Sequence, residues 1–311
     1  MSLEFEKNLE KYADVILKIG LNLQSGQKLL IGPPFLRYGT PIELYPLVRL
    51  IVKKAYQLGA KFVDVLWDDE QLTLTRFQNA PNDTLEEFPK WRYDIAIEVA
   101  KSGGAILIIA AMNPDLLEKQ PFELITTYRR TFGKHYKPFL DLRHKDVMNC
   151  TIITAPVEGW VDKVFPNLPP ENRKEKFWDV LFEICRIKEE DPVATWESHI
   201  KELATRSKYL NQKHYKALKF VAPGTNLTVY LPKDHIWHSA RATTQNGIKY
   251  VANIPTEEVF TLPLKDETEG VVTATRPNSQ YNFSDFTLTF SKGEVINAKA
   301  KRGEENLLAL L

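Results

Sequence analysis

The sequence predicts an α/β protein: an N-terminal, largely parallel sheet flanked by helices, followed by a β-rich α+β second domain that stops incomplete. Three observations predict it. Short continuous apolar runs alternate with helical patterns through the first part of the chain. Short strands separated by turns replace them afterwards, and 311 residues suffice for two cores. The expected division is 1–211 for the α/β domain and 212–311 for the β-rich start of a C-terminal domain.

From Phe5 to Asn22 the residues Leu9, Tyr12, Ala13, Ile16, Leu17, Ile19 and Leu21 recur at helical spacing, which predicts a first amphipathic helix ended by Ser25-Gly26. Lys28 to Gly32 reads as a short buried strand closed by Pro33-Pro34. A helix is expected from about Pro41 to Leu58, with Gly59 as its cap. Lys61 to Trp67, Ala105 to Met112 and Cys150 to Ala155 read as further buried strands with helical patterns between them. From Asn172 to about Asn211 the pattern is helical, interrupted at Asp191-Pro192. The segments 218–221, 226–231, 249–252, 270–275, 286–290 and 294–298 then read as the strands of the second domain.

Lys and Arg (41) balance Asp and Glu (40), and no basic block stands out, so nucleic acid is not an expected partner. The longest apolar run, Gly104 to Met112, is far too short for a bilayer, and residues 1–7 have no signal-peptide core. A cytoplasmic protein with no membrane association is expected. Cys150 and Cys185 have no C-x-x-C spacing and read as reduced packing residues.

A β-α-β beginning invites a nucleotide-binding reading. The loop Gly32-Pro33-Pro34-Phe35 lacks the glycines that let a phosphate approach the backbone, and no G-x-x-x-x-G-K-[ST] occurs. No G-x-S-x-G elbow or Ser-His-Asp order points to covalent catalysis. Trp67-Asp68-Asp69-Glu70 sits at a strand end where open sheets bind ligands, but a helix N-cap at Asp68 or Asp69 explains it more simply. His235 and His238 have a spacing compatible with two ligands on one helical face, yet Pro232 and Ser239 around them indicate a turn. The remaining histidines read as surface or packing residues.

The segment from Asn253 to Thr261 is a further candidate. Pro255-Thr256-Glu257-Glu258 has the composition of a helix start, with Thr256 as N-cap. The next residues, Val259-Phe260-Thr261-Leu262-Pro263, are β-forming and end at a proline, so the helix never comes. In an extended backbone Glu257 and Glu258 point to opposite faces, so only one of them readily faces a given metal.

The whole chain resembles the bacterial leucyl aminopeptidases typified by aminopeptidase T and aminopeptidase S. The resemblance is carried by Leu47-Val48-Arg49, 55–61, Trp67 to Glu70, Lys163 to Pro169, Asp191 to Trp196 and, above all, Asn253 to Thr261. It implies a homodimeric, metal-dependent aminopeptidase acting on peptide substrates, with two divalent ions (Zn, Co, Mn or Mg) in the second domain. It also implies that Glu258 is a metal ligand and Glu257 a supporting residue or an alternative base.

Gly303 to Leu311 begins a helix with Glu304 and Glu305 in its first turn, then ends in four leucines without a capping glycine. The expectation is that the chain is cut short there, before the family's remaining carboxylate, histidine and tyrosine ligands, and is nearly inactive as given. The alternative is a non-catalytic binding or regulatory relative that lacks the metal domain and pairs through its leucine-rich end.

Overall fold

The computed structural model describes residues 2–32, 39–278 and 283–311. Ser2 caps α1 (Leu3–Val15), its hydroxyl accepting from the Phe5 N–H at 3.2 Å, and one π-helical turn, Ile16–Gly20, extends it. Then come β1 (Lys28–Ile31), β2 (Thr40–Pro41), α2 (Tyr45–Gln57), β3 (Phe62–Val65), β4 (Trp67–Asp68), α3 (Glu70–Asn79) and α4 (Trp91–Lys101). Next are β5 (Ala105–Ile109), α5 (Phe122–His144), β6 (Cys150–Ile153), α6 (Glu158–Val164), α7 (Pro170–Ile184) and α8 (Pro192–Lys213). The remainder is β7 (Ala217–Ala222), β8 (Thr225–Tyr230), β9 (Arg241–Thr243), β10 (Lys249–Val251), β11 (Thr268–Thr273), β12 (Ser284–Ser291), β13 (Glu294–Arg302) and α9 (Glu304–Leu310).

The chain forms two compact units. The first runs to Glu202 and regains Ala240–Glu257. Its sheet is wholly parallel in the order β3-β1-β5-β6. All five residues of β5 are buried, as are Leu29, Leu30 and Ile31, because helices cover both faces and leave no polar side to alternate with. One side packs the rings of Phe77, Tyr93, Tyr128, Phe132 and Phe139 around α4 and α5. Elsewhere in the unit Tyr12 meets Trp178 and Phe182 edge-on. Cys150 and Cys185 are free thiols buried in this packing, as their apolar surroundings predict.

Strands β3 and β5 flank β1 on opposite sides, which makes the C-terminal ends of β1 and β5 the crevice of this sheet. A cavity of about 50 Å³ there is lined in part by Gly39, Glu43, Asp68, Asp69 and Glu70. Pro33-Pro34, expected to close the first strand, and Phe35 of the loop weighed for phosphate binding lie outside the described residues.

The second unit comprises Leu203–Ser239 and Glu258–Leu311. Its sheet is antiparallel in the order β13-β12-β11-β8-β7. A single division at residue 212 therefore does not describe the compact units. The strand expected at 249–252 is β10, which pairs with β9 and belongs to the first unit. Burial explains the return: Val251 is fully buried and its carbonyl accepts from the Thr151 hydroxyl at 2.8 Å, while Tyr250 donates to Asp146 at 2.8 Å. The other expected strands correspond to β7, β8, β11, β12 and β13, with 226–231 and 270–275 running one and two residues past the ends of β8 and β11. Among the described residues no helix is long and apolar enough to cross a membrane.

Candidate metal-ligand segment

After β10 the chain runs against the edge of the parallel sheet. The Ile152 N–H donates to the Ala252 carbonyl and the Ile254 N–H to the Ile152 carbonyl, each at 2.9 Å, so Asn253 is bridged to Ile152 in parallel. Ile254 is buried against Gly20, where an added Cβ would come within 3.4 Å of the Ile254 side chain and 3.0 Å of the Thr151 hydroxyl. The Ile254–Pro255 peptide is cis. Residues 256–259 have no regular structure, and Phe260 pairs with His238 in an isolated antiparallel bridge. The helix that Thr256-Glu257-Glu258 could have started is absent, as the β-forming residues after it predict.

Glu257 is held from the end of α7 and from α8. Arg186 donates to both its carboxylate oxygens, at 2.7 and 3.1 Å, a fork-to-fork geometry that fixes the carboxylate plane. His199, on α8, lies between them: its Nε2 is 2.9 Å from the Thr256 carbonyl and 3.3 Å from Glu257, and its Nδ1 is 3.3 Å from Arg186. Donation from Nε2 to the carbonyl leaves Nδ1 to accept from the guanidinium. Trp196 forms the floor. It is fully buried, donates to the Cys185 carbonyl at 2.8 Å, meets His199 edge-on and carries the Arg186 guanidinium 5.3 Å above its ring.

Arg186 reaches this position because of how α7 ends. The Ile187 N–H donates to the Phe182 carbonyl and the Arg186 N–H to the Glu183 carbonyl, while Ile187 packs fully buried beyond them. This is the paired-bond helix terminus that ordinarily places glycine in the left-handed position. Here that residue is Arg186, at φ +58°. The left-handed backbone costs a non-glycine residue about 1 kcal/mol, which the side chain's contacts with Glu257 and Trp196 offset.

Glu258 differs from its neighbour. It is exposed, and among the described residues no hydrogen bond or ion pair to its side chain is found. The two carboxylates thus divide: Glu257 has both oxygens engaged, and Glu258 presents an open pair. Sequence reasoning treats His199 as a packing histidine and passes over Arg186; the only signal for either is the unusual residue after α7, which a sequence does not mark.

The other candidates have internal partners. Asp69 caps α3, accepting from the Gln71 N–H at 2.9 Å. Asp68 accepts from the Gly39 N–H at 2.8 Å and pairs with Arg92 at 3.0 Å. Glu70 accepts from the Asn113 N–H at 2.9 Å, and burial raises its pKa above the ordinary carboxylate value. His235 is buried with Nδ1 2.8 Å from the Pro232 carbonyl, and His238 stacks on Phe260.

A catalytic metal is ordinarily held by three protein ligands. Among the described residues no group of three or more His, Cys, Asp or Glu stands close enough together to hold an ion. Within this segment Glu258 offers one open carboxylate, and the described residues do not by themselves fit a dinuclear centre.

A parallel sheet flanked by helices in one unit and an antiparallel sheet in the other define a two-unit α/β protein. The chain belongs to the thermophilic metalloprotease (M29) family, whose model matches residues 5–311, and it is therefore a metallopeptidase. It is 42% identical over 310 residues to Aminopeptidase 2 of Geobacillus stearothermophilus, covering 99% of this chain and 73% of that protein. It is 36% identical to Aminopeptidase AmpS of Bacillus subtilis, covering 99% of this chain and 74% of that one. The solved structure of wild-type AmpT from Thermus thermophilus superposes with a TM-score of 0.90 at 34% identity, over 98% of this chain and 74% of that chain. The chain thus spans about three quarters of these relatives, and its resemblance to aminopeptidases T and S is established.

Proposed function

We propose that this chain is a metal-dependent aminopeptidase that releases N-terminal residues from peptides. The observation that carries the reading is the contrast within one dipeptide: Glu257 is clamped by Arg186 and His199, and Glu258 is exposed and unengaged. Membership of a metalloprotease family and the aminopeptidase names of the relatives support it. Glu258 is assigned as the metal ligand. Glu257 acts one step removed, ordering the backbone that carries Glu258, which fits a supporting role better than that of a base.

The family's chemistry calls for divalent ions, proposed to be two, drawn from Zn, Co, Mn and Mg; hard carboxylate ligands suit several of them. When bound, such ions supply an activated water near neutral pH. Around them the chain's own residues do mechanical work: Arg186, His199 and Trp196 fix the segment, and the buried Ile254 pins it to the sheet edge. The second unit is proposed as the metal-bearing domain, and the protein as a cytoplasmic homodimer.

The test is a chimera that supplies the quarter of Aminopeptidase 2 outside the match. It should release N-terminal leucine from a short peptide in the presence of Co²⁺ or Zn²⁺, lose that activity to a chelator, and lose it on Glu258→Ala. Wild-type rates in the Glu258→Ala chimera overturn the assignment. A non-catalytic role has no observation in its favour.

A further inference from the structure

We propose that a groove between α1, the start of α2 and α7, wholly within the first unit, binds a free apolar α-amino acid. The cavity there measures about 480 Å³, inside the range of about 300–1,000 Å³ that small-molecule sites occupy. Local sequence builds its walls. Ser2 caps α1 and so fixes Phe5 on the first helical turn, where its ring centre lies 5.8 Å from Trp178, edge-on, and 5.7 Å from Phe182. Leu9 follows one turn later on α1, and Leu47 of α2 and Trp178 of α7 form the buried floor.

The rim is charged. Lys174 stands one turn before Trp178 on the same face of α7, and its ammonium donates to Glu43 at 2.9 Å. Glu43 is carried by the 3₁₀ turn Ile42–Leu44 that leads into α2. Glu175 adds a second carboxylate to the lining.

These charges select the occupant. An apolar anion would take Lys174 from Glu43, and an apolar amine would take Glu43 from Lys174; either leaves a charge unpaired above an apolar floor. A zwitterion entering between the two leaves none. Its carboxylate accepts from Lys174 and its ammonium donates to Glu43, with Glu175 as a further acceptor. Lys174 and Glu43 are only 2.9 Å apart, so the two charges of the ligand must be close neighbours. An α-amino acid carries both on one carbon, whereas the ends of an extended dipeptide lie about 7 Å apart. The aromatic and aliphatic walls then call for an apolar side chain, as in leucine or phenylalanine. Such amino acids are products of the proposed aminopeptidase reaction; that the groove takes product rests on that reading, and the binding itself does not.

Isothermal titration of the intact chain with L-leucine and L-phenylalanine tests it, in the presence of a chelator so that no metal-bound amino acid contributes. Saturable binding of one equivalent is expected. Leucinamide, which lacks the carboxylate, 4-methylpentanoate, which lacks the ammonium, and the dipeptide Leu-Leu should each bind at least about tenfold more weakly than leucine. Lys174→Ala and Glu43→Gln, both at the surface where folding tolerates them, should each weaken leucine binding at least about tenfold. Lys176→Ala, which removes a lysine paired with Asp179 outside the groove, should leave it within about twofold. Absence of saturable binding, equal binding of the amide or the acid, or a leucine affinity unmoved by both groove substitutions overturns the site. Leu-Leu binding as tightly as leucine overturns its assignment to free amino acids. Leucine binding that Lys174→Ala and Glu43→Gln both weaken, alongside an Aminopeptidase 2 chimera that releases no N-terminal residue, upholds the site and overturns the aminopeptidase reading instead.

Discussion

Replacing Arg186 separates the two forces that meet at the end of α7. Its guanidinium holds Glu257 through two bonds, but the Glu257 side chain is 61% exposed against 24% for Arg186, so solvent screens the pair and about 1 kcal/mol is a fair share. Stacking on the buried Trp196 adds about 0.5 kcal/mol. Arg186→Ala loses both while keeping the left-handed backbone, so it should cost about 1.5 kcal/mol. Arg186→Gly loses the same contacts but relieves about 1 kcal/mol of backbone strain, because the residue sits at φ +58°. The net cost of the glycine variant is therefore about 0.5 kcal/mol, the reverse of the ranking of Ala over Gly that holds inside a helix. Urea unfolding of the two variants, with amide exchange of Ile187 as a local report on the helix terminus, measures the difference. A cycle with Glu257→Gln should return a coupling of about 1 kcal/mol. A glycine variant less stable than the alanine variant, or a coupling of zero, refutes the account of how this segment is held.

Burial pushes the Cys150 thiol up to about 11 and the Cys185 thiol up to about 12, so both stay protonated at pH 8 and should resist maleimide in the folded protein while reacting fully in denaturant. Glu70 has its carboxyl raised by burial, so its contribution to stability is present below the ordinary carboxylate value and is lost as pH rises through the raised one. Glu70→Gln, whose side-chain oxygen can still accept from the Asn113 N–H, should flatten unfolding stability across that window; an unchanged pH profile counts against the burial argument. Gly270, central in β11, sits at φ +113° with the Asn226 carbonyl oxygen 2.1 Å from where a Cβ would lie. Gly270→Ala should destabilise the second unit by more than about 2 kcal/mol in thermal unfolding, and a stable variant would show that this strand relaxes.

The legible parts of the fold were those where one physical cause dominates. β1, β5 and β6 announced themselves as uninterrupted apolar runs because a parallel strand is covered on both faces. Asp191-Pro192 marked the start of α8, where Asp191 accepts from the Ala194 N–H at 3.1 Å, and the β-formers after Glu258 ruled out a helix. The return of Ala240–Glu257 to the first unit was not legible. β10 alternates like any edge strand, and only the burial of Val251 and the bonds of Thr151 and Asp146 decide which unit it joins. α8 runs unbroken from Glu202 into Leu203, so no breaker residue marks the place where one unit gives way to the next. At the candidate site, the motif pointed to two carboxylates but not to which of them was free. That depended on Arg186 occupying a left-handed position 71 residues away, a long-range pairing that local periodicity does not encode.

The division between Glu257 and Glu258 can be tested without knowing the metal. Glu257→Gln keeps the shape of the side chain and removes the charge that Arg186 and His199 surround, so its effect should appear first in stability, as a loss of about 1 kcal/mol. Glu258→Gln removes a charge with no partner among the described residues, and an exposed substitution of that kind should move stability by less than about 0.5 kcal/mol. In the Aminopeptidase 2 chimera the order of effects should invert. Manganese binding followed by electron paramagnetic resonance should weaken far more for Glu258→Gln than for Glu257→Gln, because under the proposed assignment the first removes an oxygen ligand and the second only loosens the backbone carrying it. Consecutive residues in an extended segment face opposite ways, so one change should not mimic the other. Equal losses of metal affinity would mean that the segment rearranges when an ion arrives, releasing Glu257 from Arg186. A larger loss for Glu257→Gln would transfer the ligand role to Glu257 and leave Glu258 a solvated neighbour.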